Sequence, residues 1–103
     1  MTESEFNTLA DAVFERIERT LDESGANLDY DSNGNVLTIE FTNGGKLIVN
    51  RHTPNREIWL AAQSGGFHFS WQGDRWINTR DGGELFAELS RLTQLGCGQS
   101  VAF

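Results

Sequence analysis

The sequence contains a single cysteine, Cys97, and a single proline, Pro54. One thiol cannot form an intramolecular disulfide, which favours a reducing compartment. No apolar run approaches the roughly 20 residues that a membrane-spanning helix needs, and the first residues, MTESEFNTLAD, are acidic where a targeting segment would be basic. We therefore expect a protein that stays in the cytoplasm and does not enter a membrane.

Basic residues are also scarce, with eight Lys and Arg against 15 Asp and Glu. The net charge of -7 arises within residues 1–31, where nine acids are opposed only by Arg16 and Arg19. Such a field repels nucleic acids and anionic membranes, and it attracts cations or a basic protein surface. Nucleic-acid binding is therefore excluded from the expected functions.

Hydrophobic periodicity predicts a helix near each end of one domain, residues 1–103, with strands between them. Thr2 and Glu5 can open the first helix as a capping box, and Gly25 can end it. Its apolar stripe comprises Phe6, Leu9, Ala10, Val13, Ile17 and Leu21. Alternating segments predict strands at 28–32, 36–41, 46–51, 57–62, 67–71 and 76–78.

The second helix is expected at 84–95, where Asp81 or the neighbouring glycines cap its start and Gly96 ends it. Two amphipathic helices and a meander with one apolar face predict an α+β fold, a two-layer sandwich. Both terminal helices should pack on one face of an antiparallel sheet of about six strands. The other face of the sheet should then be open to solvent.

One large aromatic residue interrupts that open face. Alternation places Trp59 opposite Ile58 and Leu60, on the side that also carries Thr38, Asn50 and His68. A tryptophan that stays exposed forgoes roughly 4 to 6 kcal/mol of burial. Either a loop or a terminus covers Trp59, or it anchors a binding partner.

Carboxylates line the solvent side of the first helix. At about 100° per residue, Asp11, Glu15, Glu18 and Asp22 fall within a band roughly 60° wide, and Glu23, Asp29 and Asp31 continue this acidic column along the chain. A solvated helix face is polar in any case, but like charges four residues apart destabilise a helix by a few tenths of a kcal/mol per pair. The column therefore indicates a surface kept negative for binding. Its oxygen ligands suit Fe, Mn, Mg or Ca, but a convex row should bind them weakly.

The segment 47–61, LIVNRHTPNREIWLA, followed by GGFHF at 65–69, resembles the sheet signature of the frataxin family. The likeness extends to the acidic first helix and the final helix. Frataxins are described as iron-binding proteins that attend iron-sulfur cluster assembly, where they contact the cysteine desulfurase and its scaffold partner. The resemblance implies that Trp59 is the exposed family tryptophan and that five carboxylates form the acidic ridge: Glu18, Asp22, Glu23, Asp29 and Asp31.

This chain departs from the family pattern in two places. Arg19, Gly25 and Asn27 stand where the family ridge has acids, so this chain should bind metal more weakly. His52 and Glu57 stand where the family usually has glutamines, which adds charge to the outer sheet. We expect His52 in a loop and His68 on the sheet surface.

The resemblance thus implies an iron-binding accessory protein that delivers iron to, or regulates, the cysteine desulfurase and scaffold complex. The expected metal ligands for Fe²⁺ or Fe³⁺, or other divalent cations, are Asp11, Glu15, Glu18, Asp22, Glu23, Asp29 and Asp31. The expected partner contacts are Glu18, Asp22, Asn50, Trp59 and His68. The chain is expected to be a monomer, and iron-induced oligomers are left open.

Two other functions remain open at this point. One is a metal-independent acidic adaptor, and the other is a ferroxidase or iron-storage protein. The sequence has neither the inward Glu-x-x-His pairs of di-iron bundles nor a Gly-x-Ser-x-Gly elbow. Its paired glycines lie at predicted turns without a phosphate-loop pattern. We therefore expect no enzymatic activity.

Overall fold

The computed structural model describes all 103 residues, with two helices and six strands in the predicted order. The elements are α1 (Glu3–Ser24), β1 (Leu28–Ser32), β2 (Val36–Phe41), β3 (Lys46–His52), β4 (Glu57–Ala62), β5 (Gly65–Trp71), β6 (Trp76–Asn78) and α2 (Leu85–Cys97), with a 3-10 turn at Thr53–Asn55. The strands form one antiparallel sheet in the order β1 to β6. Neither helix has the length and apolarity needed to cross a membrane.

Both ends of α1 are capped by the residues that the sequence predicts. The Thr2 hydroxyl accepts from the Glu5 amide at 3.1 Å, and the Glu5 carboxylate accepts from the Thr2 amide at 2.9 Å. The hydrogen bond from the Thr2 backbone amide, assisted by the Thr2 side chain, favours the ionised carboxylate and lowers the pKa of Glu5. Gly25 ends the helix in the left-handed conformation, with φ of 69°.

The buried face of α1 differs from the prediction at two positions. Leu9 is only half-buried, and Phe14, which the apolar stripe omitted, is buried. The remaining five members of the predicted stripe are buried: Phe6, Ala10, Val13, Ile17 and Leu21.

A core of 20 buried residues lies between the helices and one face of the sheet, which confirms the two-layer sandwich. Alternate strand residues face this core, among them Leu37, Ile39, Val49, Ile58 and Leu60. The first helix and the last strand are tied to the same core, since Phe6 of α1 meets Trp76 of β6 edge-on with ring centroids 6.0 Å apart.

The boundaries of α2 correct two predictions. Glu84, rather than Asp81 or a glycine, caps the start, because its carboxylate accepts from the amides of Phe86 and Ala87. Gly96 lies inside the helix, which continues to Cys97 and is capped by Gly98. A Cβ at Gly96 would lie 2.4 Å from Phe41 Cε2, so the absence of a side chain at this position allows α2 to pack closely against the sheet.

The residues after α2 complete the core. Val101 and Phe103 are buried, and the Phe103 amide donates to Ser90 Oγ at 3.1 Å. Arg16 donates to the Phe103 backbone oxygen at 2.6 and 2.9 Å and lies 3.7 Å from the centre of the Phe86 ring. Arg16 is therefore held by the C-terminal segment and not by the carboxylates of α1.

Candidate functional site

The acidic column lies along the solvent side of α1 and on β1. Asp11, Glu15, Asp22 and Glu23 are exposed and Glu18 is half-buried, while Asp29 and Asp31 are exposed on β1. Of these seven residues, only Asp11 forms an ion pair. The five ridge carboxylates therefore carry negative charge that no neighbouring arginine neutralises.

Asp11 belongs to a different environment. Its carboxylate accepts from Arg51 Nη1 at 2.7 Å, and the Arg51 side chain retains only 12% of its accessible surface while Asp11 retains 70%. The Arg51 guanidinium also lies 4.6 Å from the centre of the buried Phe14 ring. Asp11 thus fastens α1 to the end of β3, and its charge is already engaged.

Tyr30 joins the two parts of the ridge. It lies on β1 between Asp29 and Asp31, and its hydroxyl donates to Asp22 Oδ1 at 2.8 Å. This hydrogen bond to a carboxylate raises the pKa of the Tyr30 phenol. Because the bond holds the last turns of α1 against β1, the carboxylates of the helix and of the strand lie along one rim of the molecule.

The seven predicted metal ligands do not converge on one point. Asp11 and Asp22 are separated by about 16 Å along α1, at 1.5 Å per residue. No three His, Cys, Asp or Glu side chains anywhere in the chain are placed to hold one metal ion. The carboxylates suit a hard cation, but each site offers few ligands, a geometry that fits weak surface binding.

The open face of the sheet carries a row of rings on three neighbouring strands. Asn50 of β3 is paired with Trp59 of β4, and Trp59 is paired with His68 of β5. The indole stacks between two imidazoles, with its centroid 3.8 Å from His52 and 4.3 Å from His68 and interplanar angles of 7°. The predicted partner residues Asn50, Trp59 and His68 are thus adjacent.

This stack corrects the expectation of an exposed tryptophan. Trp59 is half-buried, because an imidazole covers each face of its indole. The indole Nε1 donates to Glu57 Oε1 at 2.9 Å, and Ser70 Oγ donates to Glu57 Oε2 at 3.4 Å. The outer edge of the indole is what remains for a partner to touch. We call Asn50, His52, Glu57, Trp59 and His68 the ring platform.

His52 corrects a second expectation, since it is the last residue of β3 and does not lie in a loop. It pairs with Glu57 in the sheet register, two residues beyond the Asn50–Trp59 pair. Residues two apart in a strand face the same side, so strand pairing places the His52 ring over the indole. Its Nδ1 is buried and has no hydrogen-bond partner.

Ridge and platform lie close enough for one partner to cover both. Trp59 is three strands from β1, about 14 Å at 4.8 Å per strand, and a typical partner covers about 800 Å² on each side. The open-face residues between them include the uncharged Thr38 and Ile48, and the one acid there, Glu40, is paired in register with Lys46.

Sequence reasoning did not predict the contacts by which four residues hold these two regions in place: Tyr30, Arg51, His52 and Glu57. A usable signal existed for two of them, because a strict β3–β4 register that pairs Asn50 with Trp59 also pairs His52 with Glu57. No local pattern predicts the Asp11–Arg51 or Asp22–Tyr30 contact, since each joins separate elements.

Comparison with known proteins matches residues 1–99 to the model of the frataxin-like domain. The iron-sulfur cluster assembly protein CyaY of Chromobacterium violaceum is 52% identical over 103 residues, covering 100% of this chain and 98% of the relative. The solved frataxin of Psychromonas ingrahamii is 42% identical with a TM-score of 0.94, covering 98% of this chain and 96% of that one. Trimeric yeast frataxin complexed with ferrous iron is 24% identical with a TM-score of 0.70, over 96% of this chain and 88% of that one, and shares the fold.

Proposed function

This chain belongs to the frataxin family, among its CyaY-type iron-sulfur cluster assembly proteins, and we propose that it acts there as an acidic docking protein. Members of this type are assembly proteins and not enzymes. The proposed partners are the cysteine desulfurase and its scaffold protein in the cytoplasm. The proposed contact surface is the acidic ridge together with the ring platform.

The observation that carries this proposal is that unpaired carboxylates lie near the ordered rings of the platform. The five ridge carboxylates form no ion pairs, and the ring platform lies about three strands away. Clustered surface charge of one sign raises encounter rates with an oppositely charged protein. A large aromatic anchor adds short-range affinity once the partner has docked. The partner should therefore present a basic groove.

Weak iron binding to the ridge is the second part of the proposal. Carboxylates are suitable ligands for Fe²⁺, but no three of them enclose an ion. Iron held on Glu18 and Asp22 would neutralise charge that the partner needs, so metal on the ridge should weaken or retune the docking contact. Iron would then be a cargo or a regulator, carried on the surface at low affinity.

Titration of the cysteine desulfurase with matched variants tests the docking surface. Glu18→Lys/Asp22→Lys changes the ridge, and Trp59→Ala changes the ring platform. Asp74→Lys is the control, because Asp74 is 83% exposed and lies in the turn before β6, at the opposite edge of the sheet from β1. Both site variants should lose affinity while the control retains it. Unchanged affinity in both site variants would remove the proposal.

A metal-independent adaptor is a second candidate, favoured by the lack of any three-ligand group in the structure. Chemical-shift mapping with Fe²⁺ and with Ca²⁺, in the presence and absence of the desulfurase, separates the two functions. If iron acts on the ridge, amide signals near Glu18 and Asp22 should move with Fe²⁺, and desulfurase should compete for them. If the adaptor function is correct, Fe²⁺ should leave desulfurase affinity unchanged.

A further inference from the structure

Two of the three rings in the stack are imidazoles. Imidazoles ordinarily change charge between about pH 5 and 8, and His52 and His68 cover the two faces of the Trp59 indole. The indole cannot present a face to a partner, and its N–H is already bonded to Glu57. A docking partner therefore meets the edges of three rings, two of which can become cationic.

The surroundings of the stack contain little charge that would mask this change. Glu57 of β4 is the nearest acid on the same face, and Asn50 of β3 and Ser70 of β5 are neutral. Arg56, in the connection before β4, donates to the Thr53 backbone oxygen. Arg51 lies on the opposite face and is paired with Asp11.

The whole open face carries four carboxylates and one ammonium, which are Asp29, Asp31, Glu40, Glu57 and Lys46. Two imidazolium charges would therefore offset two of the four carboxylates. They would also place positive charge at the centre of a surface that the proposed function directs toward a basic groove. Like charges brought together across an interface weaken binding.

We propose that the His52–Trp59–His68 stack makes docking onto a basic protein surface acid-sensitive, with protonation of the two imidazoles weakening the contact. This inference rests on the proposed function, because it describes regulation of the same surface. Acidification from pH 8 to pH 6 would lower the affinity for the partner, and a return to pH 8 would restore it.

The test measures desulfurase affinity at pH 8 and pH 6 for the wild type and for His52→Gln/His68→Gln. Any protonation of the desulfurase itself affects its binding to the wild type and to the double variant equally. The difference between their pH dependences therefore isolates the effect of the stack. The wild type should weaken by about fivefold more than the double variant. His68→Gln alone, at an exposed position, should show part of the effect if the double variant folds poorly. His68→Arg should weaken binding at pH 8, where the wild type binds well.

Each outcome separates this inference from the proposed function. Parallel pH profiles for wild type and double variant would overturn the inference while leaving the docking surface intact. Failure of the wild type to bind at pH 8 would overturn both. In the isolated chain, the indole N–H signal of Trp59 should shift between pH 8 and 6 and should remain fixed in the double variant; a fixed wild-type signal would also overturn the inference.

Discussion

The acidic ridge and the ring platform differ in how their side chains are held. Ridge carboxylates are largely exposed and, apart from the bond of Asp22 to Tyr30, accept no hydrogen bond from another side chain. Platform rings stack on each other at 3.8 and 4.3 Å, and Glu57 fixes the indole N–H. The ridge is suited to attraction at a distance, which salt screens. The platform is suited to contact of fixed shape, which controls how long a partner stays bound.

The largest expected effect comes from removing the centre of the platform. Trp59→Ala should raise the dissociation rate of the desulfurase complex by about 30-fold, the effect of losing a hot-spot aromatic. Its association rate should stay within about twofold of the wild type, because no charge changes. Surface plasmon resonance measures both rates. Trp59→Phe is the matched control, since it keeps a ring between the imidazoles and should lose less.

Removing ridge charge should lower the association rate of the complex and leave its dissociation rate nearly unchanged. Glu18→Gln/Asp22→Asn should lower the association rate by about five- to tenfold at low salt, and the difference should disappear near 1 M salt, where the screening length falls to about 3 Å. Asp74→Asn is the control outside the ridge. A ridge variant that changed only the dissociation rate would show that both regions act by contact, and the proposed division between them would be wrong.

A comparison of two aspartates on α1 gives a smaller effect. Asp11→Asn should cost about 1 kcal/mol of folding stability, because it leaves the largely buried Arg51 without its ion pair. It should leave docking unchanged. Asp22→Asn should do the reverse and weaken docking with little effect on unfolding by urea. Equal losses of docking in the two variants would place Asp11 on the contact surface.

The smallest effect concerns the bond that joins the helix and strand carboxylates. Because the pKa of Tyr30 is raised above its ordinary value of 10.0, its stabilising effect is present below that pH and is lost as pH rises through the folded-state pKa. Tyr30→Phe should therefore lose less stability than the wild type between pH 9 and 11. Urea unfolding at each pH measures this, and identical profiles would show that the hydrogen bond to Asp22 contributes nothing.

Local pattern was sufficient for most of the fold. The Thr2–Glu5 capping box, the end of α1 at Gly25 and the alternation around Trp59 involve residues within a few positions of each other, and all are present in the structure. The open face and its three predicted partner residues follow from that alternation and from strand pairing. Such features depend on backbone geometry that a short segment already specifies.

Tertiary contacts between residues far apart in the sequence could not be predicted from local patterns. The Phe103–Arg16 contact joins residues 87 apart, and Asp11–Arg51 joins residues 40 apart. The sequence predicts that Gly96 ends the helix, but the helix runs through it to Cys97, and a Cβ at this position would collide with Phe41 of β2. The ring stack likewise required the combined register of three strands, together with ring orientations that no single segment determines.

The most direct test of a single docking surface is amide chemical-shift mapping of the ¹⁵N-labelled chain during titration with the cysteine desulfurase. Signals from the second half of α1, from β1 and from the open-face residues of β3 to β5 should shift or broaden together, with one saturation point, while those of α2 stay unchanged. Changes confined to α2, or to the ridge or the platform alone, would contradict the account.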